Sequence, residues 1–142
     1  MNTVAGILKR KGGQVYTVAP NDTVFKALET MAQHGIGALI VTDGDKLVGI
    51  MSERDYARKV IIQGKSSRDT PVKEIMTSEV ISASPARTVD ECMAMMTEGR
   101  IRHLPVMEGD KLVGLISIGD LVKELIEDQK FTIRQLENYI AT

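Results

Sequence analysis

The feature that most constrains this chain is a repeat. Segment 15–61 lies on segment 80–126 without a gap, at an offset of 65 residues, and 17 of the 47 paired positions are identical. Identity that dense, with no insertion, marks a duplicated unit, so the fold must build the same substructure twice. The longest shared run, Gly-Asp-Lys-Leu-Val-Gly, stands at 44–49 and again at 109–114. A fainter echo precedes each copy. Val4-Ala5-Gly6-Ile7-Leu8 resembles Val72-Lys73-Glu74-Ile75-Met76, and the connection after the first echo is three residues longer.

Each copy predicts the order β-α-β-β-α. Val15–Val18 reads as a short strand closed by Pro20. Val24, Ala27, Leu28 and Met31 then recur at helical spacing, as do Val89, Cys92, Met93 and Met96 in the second copy. There Thr88 and Glu91 stand at capping-box spacing. Two apolar runs follow, Ala38–Val41 and Leu47–Met51, joined by the hairpin signal Asp43-Gly44-Asp45 and matched later by Glu108-Gly109-Asp110. Ser52 and Ser117 sit where a helix N-cap belongs, ahead of Tyr56, Val60 and Ile61 and of Leu121, Leu125 and Ile126. Residues 62–71 read as a polar linker, and 127–142 as an extra helix without a counterpart.

Composition narrows the function classes. A net charge of −1 gives no basic field to recruit nucleic acid or an anionic membrane. No apolar run approaches the roughly 20 residues that span a bilayer, and Met1 to Leu8 lacks a signal-peptide profile. Cys92 is the single cysteine, which excludes an intrachain disulfide and a cysteine zinc site; on the buried helical stripe it reads as a core thiol. The expected location is therefore cytoplasmic. His34, ahead of Gly35, reads as a helix-end cap residue. No nucleophile–base pair, P-loop or metal-ligand cluster is legible, so no catalytic or metal residues and no catalytic cofactor are expected.

The strand-to-helix motif Gly-h-h-Ser-x-x-Asp stands twice, as Gly49-Ile50-Met51-Ser52-Glu53-Arg54-Asp55 and as Gly114-Leu115-Ile116-Ser117-Ile118-Gly119-Asp120. A carboxylate can accept hydrogen bonds from two vicinal hydroxyls at once, and these charge-assisted bonds are strong. In the first helical turn it lies beside unpaired backbone N–H groups that suit phosphate oxygens. The motif glycines are expected to let a ligand approach the backbone. The bland reading of Ser-x-x-Asp is a capping box that only starts a helix.

With the Val-x-x-Ile-Met lead-in, the strands ending Thr-Val-x-Pro and Ser-Ala-x-Pro, and Arg-His-Leu-Pro-Val at 102–106, the chain resembles the cystathionine-β-synthase (CBS) domain over about residues 1–127. Such domains occur in pairs. The resemblance implies an α/β fold of the α+β type: unit 1 over 1–65, unit 2 over 66–127 and a C-terminal helix over 128–142. It implies two units packed as a pseudo-twofold disc with two clefts that take AMP, ADP, ATP, NAD or S-adenosyl compounds. Asp55 and Asp120 would hold ribose, with Ser52 and Ser117 beside them. Adenine would sit against backbone of the early strands; Thr17, Gly37, Ala38, Leu39, Ser82, Leu104 and Pro105 complete the implied nucleotide-binding set, with Gly37 and Ala38 facing the cleft of Asp120. Arg102 and His103 fill the slot of Gly37 and Ala38, and they would reach a phosphate whose ribose is held by Asp55, with Arg54 and Arg58 as further phosphate candidates. Because imidazole titrates near neutrality, that phosphate affinity is expected to weaken from about pH 6 to 8. The implied role is a sensor that signals to an unidentified regulated protein in trans, not an enzyme. The alternative is a structural or interaction module with vestigial clefts. A homodimer is expected, with the apolar stripe Phe131, Ile133, Leu136 and Ile140 packing across an interface or over the fold.

Overall fold

The computed structural model describes residues 2–141. In chain order the elements are α1 (Val4–Lys11), β1 (Thr17–Val18), α2 (Val24–His34), β2 (Ala38–Asp43), β3 (Lys46–Ser52), α3 (Glu53–Tyr56), α4 (Val89–Gly99), β4 (His103–Glu108), β5 (Lys111–Ser117) and α5 (Ile118–Ala141). A π-helical stretch, Ala57–Ile61, continues α3, and a 3-10 turn, Val72–Glu74, precedes the second copy.

The chain folds into two compact units. One takes Gln14–Val80 with Gly109–Leu112; the other gathers the chain up to Gly13 with Ile81–Glu108 and everything from Val113 onward. These units do not follow the sequence boundaries of 1–65 and 66–127, because each lead-in packs in the core of the other copy. Val72 and Ile75 are buried with Val18, Val24, Ala27, Met31, Leu39 and Met51. Val4 and Ile7 are buried with Val89, Cys92, Met96, Leu104, Ile116 and Leu121.

Local chemistry explains the elements. Thr23 caps α2 by accepting the Lys26 N–H at 3.1 Å, and Gly35 ends the helix in the left-handed region at φ 62°. The same side of α2 buries Val24, Ala27 and Met31. At α4 the capping box forms: the Thr88 hydroxyl accepts the Glu91 N–H at 3.1 Å, and Glu91 accepts the Thr88 N–H at 3.0 Å. Arg100 closes α4 in the left-handed region at φ 53°, where the aligned residue is Gly35.

In the unit built from the first copy, β2 and β3 form an antiparallel hairpin with Ala38 opposite Ser52 and Leu39 opposite Met51, turned at Gly44 (φ 61°). β1 adds a parallel edge, Thr17 beside Ile40. It is shorter than the strand expected over 15–18, since Val15 and Tyr16 do not pair as strand. The second copy repeats the hairpin with β4 and β5, but its first strand shrinks to one bridge, Ala83 to Val106. Tyr16 instead stacks on His34, ring centroids 3.7 Å apart, so His34 is an aromatic partner while Gly35 supplies the cap geometry.

The largest departure from internal symmetry lies after the motif serines. The first copy has four α-helical residues and then the π stretch, whereas α5 runs unbroken for 24 residues. The expected separate helix over 128–142 is therefore the continuation of the motif helix. Residues 126–141 are all exposed, so the expected alternative that this segment covers its own fold is not realised.

Candidate functional site

Each Ser-x-x-Asp sequence makes the same backbone corner. At the first, the Ser52 hydroxyl accepts the Asp55 N–H at 3.2 Å, while Asp55 Oδ2 accepts the Ser52 N–H at 2.9 Å and the Ser52 hydroxyl at 3.1 Å. At the second, the Ser117 hydroxyl accepts the Asp120 N–H at 3.2 Å, and Asp120 Oδ2 accepts the Ser117 N–H at 2.8 Å. The first helical N–H is satisfied alike in both: Glu53 donates to the Gly37 carbonyl at 3.1 Å, and Ile118 to the Arg102 carbonyl at 2.8 Å. Both corners are thus closed capping boxes, and the pre-strand position is pinned against each. A carboxylate offers about four lone-pair directions, so these bonds leave acceptor capacity on each aspartate.

The corners differ in their cations. Lys59, one turn along the same helix, approaches Asp55 Oδ1 at 3.2 Å and donates to the Ile75 carbonyl at 2.9 Å. In the second copy the aligned residue is Glu124, which is buried and ion-paired with Arg10 of α1. The cation for Asp120 comes instead from Lys11, whose ammonium lies 2.6 Å from Oδ2 and donates to the Leu115 carbonyl at 2.9 Å. Burial works against the charge on Asp120, but the Lys11 ammonium and the Ser117 donors outweigh it and hold the carboxyl below its ordinary range.

His103 opens β4 in the same unit, beside exposed Arg102. Burial is the main force lowering its pKa, the charges of Lys11 and Arg102 act in the same direction, and Asp120 opposes them. The folded imidazole therefore takes up a proton less readily than an ordinary exposed one, which moves any titration of this group to lower pH than the sequence alone suggests.

The motif glycines also have a different task from the one expected. A Cβ on Gly49 would lie 2.6 Å from Met76 Sδ and 3.0 Å from the Thr77 carbonyl; one on Gly114 would lie 2.6 Å from Leu8 Cδ2. What approaches the backbone at each is a lead-in segment, not open ligand space.

An open groove of about 580 Å³ lies in the unit built from the first copy, lined by Leu28, Met31, Gly35, Gly37, Glu53 and Tyr56 among others. Its volume is within the range of small-molecule sites. Gly37 and Glu53, which line it, are hydrogen-bonded to each other next to Ser52.

The family model of the CBS domain matches residues 4–62 and 72–127. The chain belongs to the CBS-domain family. It is 39% identical over 147 residues to the CBS domain-containing protein CBSX3, mitochondrial, of Arabidopsis thaliana, covering 97% of this chain and 71% of that one. Among solved structures it is similar to a putative signal-transduction protein with CBS domains from Burkholderia ambifaria, with 58% identity, a TM-score of 0.87, and 90% and 96% of the two chains covered. The CBS domain pair of protein MJ0100, solved with 5′-methylthioadenosine and S-adenosyl-L-methionine, matches at 28% identity and a TM-score of 0.79, with 91% and 98% covered.

Within this CBS pair, the fold brings Gly37, Ala38, Ser52 and Asp55 together in one unit and Arg102, His103, Ser117 and Asp120 in the other. Arg54 and Arg58 are exposed, as are Thr17 and Ser82. Ala38, Leu39, Leu104 and Pro105 are buried, with Leu39 and Leu104 in the cores, so these positions can offer a ligand little beyond backbone. Sequence reasoning missed both lysines. Lys59 was within reach of it, standing four residues after Asp55 at salt-bridge spacing. Lys11 was not, because it lies in the first connection, outside the gapless repeat. Among the described residues no group of three or more His, Cys, Asp or Glu is placed to hold a metal, and no helix is long and apolar enough to cross a membrane.

Proposed function

We propose that this CBS pair is a regulatory module that binds adenine nucleotides such as AMP, ADP, ATP or NAD, with Asp55 and Asp120 each holding a ribose, and signals to a partner protein in trans. The observation that carries the reading is the duplicated corner: two carboxylates fixed by Ser–Asp capping boxes, each with a cation and with acceptor capacity to spare. Vicinal ribose hydroxyls match such an acceptor. The adenosyl compounds in the MJ0100 structure and the groove beside the Asp55 corner support the same ligand class. The role is binding and not catalysis.

A second reading, an interaction module with vestigial sites, is favoured by the closure of both capping boxes, which gives each Ser–Asp pair a structural task of its own. Calorimetric titration with AMP separates the two. Asp55→Asn and Asp120→Asn are chosen because asparagine retains a capping acceptor. Each variant should lose one site, at a cost of roughly 2–3 kcal/mol of binding, and the double variant should lose both. Unchanged stoichiometry and affinity in the double variant overturns the nucleotide reading.

The same proposal includes a homodimer formed through α5. Val122, Ile126, Ile133, Leu136 and Ile140 are exposed and recur at alternating spacings of four and three, with Gln129 in the one polar place. That is the heptad seam of a helix pair.

A further inference from the structure

Lys11 is a cation that neither the repeat nor the ribose reading assigns. It ends α1, whose Val4 and Ile7 are buried and whose Leu8 seats on Gly114. Beyond it, Gly12 (φ 96°) turns the chain, and the Cβ position of Gly13 lies 3.0 Å from the Val113 carbonyl. The backbone is thereby held against β5, and the Lys11 ammonium bridges Leu115 O and Asp120 Oδ2. It approaches the carboxylate from the β5 side of the corner; Lys59 approaches its own carboxylate from down the helix.

We propose that Lys11 is a specificity-determining residue of the Asp120 site, selecting adenosyl ligands that carry negative charge at the 5′ position. The inference rests on the ribose reading of Asp120. A neutral nucleoside must bring its hydroxyls to a carboxylate whose charge Lys11 already satisfies. A 5′-phosphate gives the ammonium a second anionic partner, so ribose and lysine no longer compete. A 5′-sulfonium brings a like charge to Lys11. His103, half-buried at the start of β4, adds a hydrogen-bonding group on the same side.

The test isolates the Asp120 site in the full-length Asp55→Asn protein and titrates it calorimetrically with AMP, adenosine and S-adenosylmethionine. Affinity should fall in that order. Lys11→Met should shrink the AMP-to-adenosine ratio about tenfold, and Lys11→Arg should keep it. A ratio unchanged by Lys11→Met overturns the inference, as does an equal loss for all three ligands with a lowered melting temperature, which is the mark of a merely structural lysine. If the wild type binds AMP and Asp55→Asn does not, Asp120 holds no ligand and the inference fails while the Asp55 site stands. Failure of the wild type to bind any of the three removes the nucleotide reading and this inference together.

Discussion

At the first corner Asp55 takes its cation from Lys59, four residues on in the same helix; at the second, Asp120 takes it from Lys11, 109 residues away in sequence. The backbone of the corner itself is retained between the copies: the Ser–Asp capping box, the carbonyl at 37 or 102 that receives the first helical N–H, and the glycine under a lead-in. The charges have moved. Lys59 aligns with Glu124, and by the offset of the lead-in echoes Lys11 aligns with Glu79. The two copies thus share what the helix start needs and differ in whether the cation comes from the helix or from the lead-in connection. A local i,i+4 pair meets its carboxylate from the same helix, although Lys59 also donates to the Ile75 carbonyl at 2.9 Å. A long-range pair ties the carboxylate to a separate element, so only the second corner is coupled to α1.

The largest expected effect tests the other contrast between these helices, their length. Truncation after Asp128 removes Phe131, Ile133, Leu136 and Ile140, all more than half exposed, and leaves α5 close to the reach of its first-copy counterpart. Sedimentation should then show loss of the dimer with the fold intact, because none of the described residues of the removed segment is buried. A truncated chain that remains a dimer would move the interface elsewhere and make the longer helix irrelevant to assembly.

The glycines give the next effect. Alanine at 49 meets the Thr77 carbonyl, which is fixed by reciprocal bonds between Ile50 and Thr77 of 3.0 and 2.9 Å, as well as Met76. Alanine at 114 meets first the Leu8 side chain, at 2.6 Å from Cδ2, which can repack. Both substitutions should destabilise by roughly 1–3 kcal/mol, with Gly49→Ala the worse, lowering the melting temperature by about 2–4 °C for each kcal/mol. Thermal unfolding that ranks Gly114→Ala as the more damaging would show that Leu8 is held more rigidly than main chain.

These contrasts also show what the sequence could tell. The gapless repeat predicted both hairpins, α2, α4 and the Thr88–Glu91 capping box, because turn residues and helical stripes act over a few neighbours. It missed α1, since a short echo carries no periodicity, and it could not show that each lead-in packs with the other copy. That exchange depends on long-range burial of Val4, Ile7, Val72 and Ile75. The Ser-x-x-Asp corners were legible from spacing as capping boxes, whereas the ribose role of their aspartates came only from the resemblance. Their cations were legible only where local: Lys59 by its i,i+4 position, Lys11 not at all. The glycines were misread because a missing Cβ shows that something comes close without showing what.

The smallest expected effect is a pH dependence confined to one side of the comparison. Position 38 is alanine in the first copy and position 103 histidine in the second, so only the second corner has an imidazole. The groups acting on His103 are Lys11 and Arg102, which disfavour its charge, and Asp120, which favours it; burial is the dominant influence and the result is a lowered pKa. The unfolded chain therefore binds the proton more readily than the folded one. Stability should be fully present above the unfolded value near 6.5 and fall as pH drops from there toward the folded value. The loss should be small, since the ring is only partly shielded from water. Asp120 and Glu91, whose pKa values are also lowered, lose their contributions only in the more acidic carboxylate range, so the two windows separate. Melting temperatures of wild type and His103→Gln between pH 8 and 5 supply the check. The wild-type curve should drop below pH 6.5 relative to the variant, and two curves that stay parallel would show that the protonated imidazole is accommodated beside Asp120 after all.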